Sequence, residues 1–417
     1  MSREPPRGPG RGRRFPVLTV ALFLSALAPW AMMLRQEARA EEAPTAAPPP
    51  TVASGALATT PPAEPQRSAS HDAVQPRWGH LERLSVRLEP PTGDISADVC
   101  SAMPSWREAS PAGVDRTVAA AGLDDAGRRA FAEGVRCGPG GCDVAPSLDF
   151  LAKLGRQQRS GLYEAVLASP ADASFPIFRR RAIDADLWTR HAGLAPATIQ
   201  AVDELSFPRG DLVFLADLPL LCSRIPSLAD RARLLAALGR TPAIVVRLRL
   251  DASSDLEGLV GYWGGGRRDA DVRALIGSLA RVPGGASIDV THLLPPMPRE
   301  RLYTYARGSG QPAYDCHWSS LNFQADRPDD RLVDERAVRA AIAADYAEVE
   351  TRSPALGDVL LFTSADGAVL HSAVHVVEDV VFTKNGHGSL NPWVLSTRSE
   401  VSAIYFRTAK IRVFRRR

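Results

Sequence analysis

Tyr314-Asp315-Cys316-His317-Trp318, then Gly357-Asp358-Val359-Leu360-Leu361-Phe362, then His371-Ser372-Ala373-Val374-His375-Val376 follow one another toward the end of this 417-residue chain. Their order decides the fold class. Asp315 is a residue type that caps helices, so a helix is expected to open at Cys316. A second helix is expected from Asp334, because Val338, Ile342 and Tyr346 recur every four residues along one face. Past Pro354 and Gly357 the pattern changes to short apolar runs at 359–362, 369–377 and 380–383, which predict strands. Residues 401–406 and 411–414 predict a closing hairpin. Helix followed by antiparallel sheet is an α+β order.

The same stretch carries the chemistry. A cysteine needs a base to become a nucleophile, and a Cys–His pair is the usual apparatus of acyl transfer. Asp315 as helix cap, with unpaired N–H groups in the first turn, favours a thiolate at Cys316. His371 opens a predicted strand and is the expected base. His375 shares its face, but four residues along a strand is roughly 13 Å, so only one of the two can touch the sulfur. The register after Gly357-Asp358 selects His371. His317 adjoins Cys316, yet neighbours on a helix point apart, and a surface histidine is expected there. Asp358 is expected to support the turn before its strand, and Lys384 to be a surface cation.

Working outward, the preceding half is mixed and mainly helical. Helix-compatible spacing covers 118–135, 148–167 and 183–205, and 211–216 predicts a buried strand. Ser227 and Gly239 bracket a helix at 228–238, and 271–282 is helical up to Pro283-Gly284-Gly285. Between them Ile244, Val246, Leu248 and Leu250 alternate as in a half-buried strand. No catalytic motif is present in this half.

At the other end, Arg3, Arg7, Arg11, Arg13 and Arg14 precede an apolar segment from Phe15 to about Leu34. Residues 1–40 are expected to be a signal peptide or an N-terminal membrane anchor, and the A-x-A spacing of Ala38 and Ala40 favours cleavage. Both routes place the chain outside the cytoplasm, in the periplasm, the cell envelope or beyond. Residues 41–78 are a Pro/Ala-rich tether with too little apolar surface to fold. Export changes how five cysteines are interpreted, since thiols pair in oxidising compartments. Cys137 and Cys142 enclose a short Gly-Pro-Gly-Gly loop and suit a local disulfide, Cys100 and Cys222 are available to each other, and Cys316 is left over. A composition 45% hydrophobic and 23% charged is globular, and a net charge of +3 implies no nucleic-acid partner.

The Asp315-Cys316 helix start, the Gly357-Asp358 strand and the His371 strand together resemble the NlpC/P60 domain of bacterial cell-wall hydrolases. The resemblance covers residues 286–417, leaving 79–285 as a separate mainly helical domain of unknown role. It implies a papain-like fold in which Cys316 is the nucleophile and His371 the base. The family's third polar residue falls on Thr383, with Asn385 on the same strand face and better able to accept from a ring N–H; His387 is a further alternative. A family tyrosine near the oxyanion site falls between Tyr303 and Tyr305. Two departures stand out. Ser-Gly after the family's Asp-Cys is replaced by His317-Trp318, and its Tyr-x-Trp-Gly-Gly approach by Tyr303-Thr304-Tyr305-Ala306-Arg307-Gly308. Bulk beside the nucleophile changes which acyl group fits.

The expectation is an exported thiol hydrolase, a cysteine peptidase or amidase cutting peptidoglycan stem peptides or another peptide. It needs no metal or cofactor and meets a membrane only through an uncleaved N-terminus. The alternatives are a non-catalytic cell-envelope binding module and a Cys–His lipid acyltransferase.

Overall fold

A computed structural model describes residues 76–91, 99–168, 177–182, 188–189, 192–306, 314–350, 352–386, 390–405 and 408–417. All of them belong to one compact unit, residues 72–417. The N-terminal segment, most of the tether, residues 183–187, Arg307-Gly308 and His387 lie outside the described residues. No helix among the described residues is long and apolar enough to cross a membrane.

The architecture is α+β with antiparallel sheets. The largest has six strands in the order Tyr346–Glu348, Lys410–Arg416, Val359–Thr363, Val369–Val377, Val380–Lys384, Trp393–Thr397. Strand parity gives it two apolar faces. Val359, Leu361, Val374, Val376 and Phe382 point into a core shared with Trp318, Leu321 and Phe323 from the helix Cys316–Leu321 and its C-terminal end. Leu360, Phe362, Ala373 and Val381 face the other way, onto Val401 of the helix Arg398–Ile404.

The first core continues through Val246, Leu248, Trp263 and Ile288, so it crosses position 285 without a break. Strand Thr241–Leu250 pairs with His80–Leu88 on one side and Ala286–Asp289 on the other. Tyr262 Oη donates to Val376 O at 2.7 Å. Leu302 bridges Trp393, and Tyr303 N donates to Trp393 O at 2.8 Å, extending the large sheet toward these strands. A second core, built mostly from residues 99–238, holds the helices between residues 111 and 239 and two small three-stranded sheets. At its centre Arg159 and Asp217, both buried, pair at 2.8 Å, and Tyr163 donates to the same carboxylate. Cys100–Cys222 and Cys137–Cys142 are disulfides and Cys316 is the free thiol.

Several boundaries differ from expectation. The helical spacing over 118–135 breaks into helices Pro111–Ala120 and Asp125–Ala132, separated by a turn in which Gly122 has φ 58°, and Val135 already begins a strand. Tyr346 leaves the helix Glu335–Asp345 to start an edge strand. The hairpin expected at 401–406 and 411–414 is absent. Residues Arg398–Ile404 form a helix, because Thr397 and Glu400 make a reciprocal capping box that outweighs the β-branched content of Val401 and Ile404. Lys410–Arg416 instead pairs with Val359–Thr363 and Tyr346–Glu348. Thr397→Ala should cost about 1 kcal/mol of stability, measured by urea unfolding.

Candidate functional site

Asp315 caps the cysteine helix as expected, its Oδ1 accepting from Trp318 N at 2.8 Å. Trp318 anchors the helix from below: it is fully buried, stacks on Tyr314 with centroids 3.9 Å apart, and its Nε1 donates to Asp330 at 3.2 Å. Ser319 receives Trp393 Nε1 at 2.8 Å and donates to Asp315 O at 2.6 Å. These contacts fix Cys316 against the strands carrying His371 and Thr383. Cys316 is 8% exposed.

His371 is fully buried between Tyr405, whose ring is 4.1 Å away and nearly parallel, and Phe362. Its Nε2 lies 2.7 Å from Thr383 Oγ1, and the Thr383 hydroxyl donates to Asn385 Oδ1 at 3.3 Å. A hydroxyl that gives its proton to Asn385 must accept from the ring, so Nε2 carries the hydrogen and Nδ1 the lone pair. Among the described residues Nδ1 has no partner in hydrogen-bond geometry, and the charge of Cys316 acts on the ring. Thr383 is therefore the orienting group and Asn385 stands one step behind it, correcting the expectation that Asn385 meets the ring directly. Asn385 lies just past the strand end, which removes it from the simple parity argument.

His317 is not a surface residue. Its Nδ1 is 3.0 Å from Ser372 Oγ, and its ring, the Cys316 sulfur and an Asp315 oxygen lie within 4.8 Å of one another. The first turn of a six-residue helix folded hard against a strand lets i and i+1 converge on one neighbour, which helix geometry alone does not suggest. Lys384 is also buried, at 0% exposure, with Nζ donating to Gly386 O at 2.8 Å and lying 5.3 Å from the Trp393 ring centre. The warning was available in sequence: Val380-Val381-Phe382 before it are apolar on both strand faces, the pattern of a strand covered on both sides.

The electrostatics follow from these placements. Burial alone would push the Cys316 thiol up, but the His317 and His371 rings outweigh it and hold the thiol well below its ordinary value. Burial opposes a charged His317, yet the facing thiolate and Asp315 raise it to about 9. Full burial pushes His371 down, and the charges of His317 and Arg179 add to that against the pull of Cys316. The two rings share one thiolate, so the first imidazolium discourages the second. The arrangement favours a charged Cys316–His317 pair and a neutral His371. Burial and the thiolate raise Asp315 to about 6.

The remaining expected residues lie elsewhere. Tyr303 Oη donates to Ile244 O at 2.7 Å, and Tyr305 Oη is shared between Gly239 O at 2.9 Å and Leu88 O at 3.1 Å. Each hydroxyl has a single proton, and both protons are committed to backbone carbonyls. His375 is buried, and burial pushes it down to about 4; the charged groups acting on it are Arg398, Asp358, Arg77 and Asp379. Asp358 supports its turn, accepting from Ala355 N and forming a two-pronged pair with Arg415.

His317→Gln removes the cation beside the sulfur. Iodoacetamide alkylation of Cys316 at pH 6 should then slow by about 10- to 1000-fold, the range an opposite charge at this distance commands. Above about pH 9 the wild-type ring has itself lost its proton, so the two rates should converge. An unchanged rate at pH 6 would exclude the ion pair.

The fold and site together define an α+β protein with a buried free cysteine, two histidines and a threonine–asparagine relay. No family model, no curated protein and no solved structure matches this chain.

Proposed function

We propose that the chain is an exported thiol hydrolase of papain-like design, related to the NlpC/P60 type, that cleaves an amide bond in peptidoglycan stem peptides. The observation carrying this reading is the 2.7 Å Thr383–His371 contact, which presents an imidazole lone pair to a cysteine held as thiolate. The thiolate attacks the amide carbonyl, forming a C–S bond and a tetrahedral oxyanion that the Cys316 amide at the helix start is placed to receive. The leaving amine takes its proton from the imidazolium beside the sulfur. Neutral His371 then accepts a proton from the water whose oxygen attacks the acyl carbon; the C–S bond breaks to release the carboxyl product and the thiolate, and the proton passes from His371 across the sulfur to His317, with Thr383 holding the His371 ring in the required tautomer. The two disulfides and the arginine-led apolar N-terminal segment support an oxidising, non-cytoplasmic setting.

Incubating the full chain with purified peptidoglycan tests this. Free stem peptides or new amino groups should appear, and one equivalent of iodoacetamide should stop their release. If no peptide is released but Cys316 still alkylates rapidly at pH 6, peptidoglycan is excluded as the substrate. The burial of Cys316 favours a second reading, a non-catalytic envelope-binding module that keeps the same shell. In that case the thiol should resist alkylation below about pH 8.5, the value of a free thiol.

A further inference from the structure

Four groups that bind metals stand around the Cys316 sulfur. A ring nitrogen of His317, a carboxylate oxygen of Asp315 and the sulfur itself lie within 4.8 Å of one another. His371 is the fourth. Its ring is fully buried, and its Nδ1 has no hydrogen-bond partner among the described residues. That ring lies close enough to the sulfur for each group to act on the other's charge. A buried lone pair that no donor satisfies carries a free-energy cost, which a ligand able to accept it would remove. Thiolate sulfur and imidazole nitrogen are the donors zinc prefers, and a carboxylate oxygen commonly completes such a set. Tetrahedral zinc spaces its ligand atoms by roughly 3–4 Å. Donors already within 4.8 Å need only a small side-chain adjustment to reach that spacing.

The outer contacts of both rings also suit a metal. A ligating histidine donates its second N–H to a fixed acceptor, which sets the tautomer and aims the other nitrogen. His371 Nε2 meets Thr383 Oγ1 at 2.7 Å, and Thr383 is held in turn by Asn385 at 3.3 Å. His317 Nδ1 lies 3.0 Å from Ser372 Oγ, which leaves Nε2 for a metal. His371 and Ser372 are neighbours on strand Val369–Val377, so one backbone segment carries the first ring and steadies the second. The buried Lys384 amine acts on Cys316 and Asp315, and its charge opposes a second cation. A metal here is therefore held reversibly and should yield to a chelator.

We infer that Cys316, His317 and His371, together with Asp315, form a binding site for one zinc ion. The site itself does not depend on the hydrolase reading above. Under that reading it adds a control, because electron pairs bonded to zinc are withdrawn from the nucleophile and from the base alike. The zinc-loaded chain would then be silent, and removal of the metal would restore it.

Calorimetry on the full chain, first freed of metal with a chelator, should find one Zn²⁺ per chain and no binding of Mg²⁺, which favours oxygen ligands. Cd²⁺ in place of zinc should add the ultraviolet absorption of a metal–thiolate bond, absent from Cys316→Ala. Cys316→Ala and His371→Gln should each weaken zinc at least 100-fold. Ser372→Ala and Thr383→Val remove only what steadies the rings, and each should cost about 10- to 100-fold. Every variant is checked for cooperative unfolding. His80→Gln combined with His292→Gln deletes two exposed histidines and should change nothing. Bound zinc should also protect Cys316 from iodoacetamide, with the reaction returning after chelation. No zinc binding, binding that survives Cys316→Ala, or binding lost with the two exposed histidines would each overturn the site. A chain that binds zinc in this way but releases no peptide when metal-free loses the hydrolase reading and keeps the site. One that releases peptide and takes up no zinc does the reverse.

Discussion

Cys316→Ala should reduce amide hydrolysis to background, a loss on the order of 10⁴-fold or more, because Cys316 is the chain's one thiol outside a disulfide and the acyl-enzyme forms on it. His371→Gln should fall about 10²- to 10⁴-fold, the range a positioned base commands. The glutamine keeps much of the ring's volume and can still reach a hydroxyl, so the loss would report on proton transfer rather than on a cavity beside Tyr405 and Phe362. Thr383→Val separates position from chemistry. It deletes the Nε2 acceptor and frees the ring to adopt the wrong tautomer, so activity should drop about tenfold or more while iodoacetamide still reacts with the thiolate. Combining Thr383→Val with His371→Gln should add little to the His371 loss, since the two act through one ring. The measurement is initial rate on one peptide amide with all variants at equal concentration, each checked for cooperative unfolding. A Cys316→Ala chain that kept a tenth of the rate would end the thiol mechanism.

The residues that sequence made legible are those whose roles follow from local pattern. Asp315 caps a helix start, and Ser227 does the same for Leu228–Gly239, because a side-chain oxygen can satisfy an orphan N–H only from that position. The strands at 359–363, 369–377 and 380–384 announce themselves through continuous apolar runs. The partners that meet across the fold were not legible. Tyr405, at the end of a helix mistaken for a strand, stacks on His371, and Arg179 reaches that ring from a strand more than two hundred residues away in the chain. Such contacts depend on which layers pack together, and no periodicity records that. The choice between Thr383 and Asn385 is of the same kind. Asn385 has the better acceptor, but the strand ends one residue too soon to aim it, and a hydroxyl in the right place takes the role.

Lys384 has the clearest consequence for stability. Burial pushes its amine down from 10.5 to about 7, against the pull of Cys316 and Asp315. A folded-state value below that of the unfolded chain means the unfolded chain binds the proton more tightly. Stability should therefore rise with pH between about 7 and 10.5, where unfolding takes up a proton. Below pH 7 the full penalty applies, an upper figure of about 5 kcal/mol at 1.36 kcal/mol for each tenfold step. Lys384→Met keeps the length and apolar stem, and gives up the bond to Gly386 O and the contact with the Trp393 ring. The net gain expected at pH 6 is about 2–4 kcal/mol, shrinking toward zero by pH 10.5 and read from urea midpoints across that range. A variant less stable at pH 6, or one whose gain does not change with pH, would show that the ammonium is accommodated without penalty. The amine is retained at the start of the cysteine helix because it faces the thiolate and Asp315, both of which favour its charged form. The same substitution should therefore raise the Cys316 thiol and slow its alkylation at pH 6, so that the variant gains stability at the expense of the nucleophile.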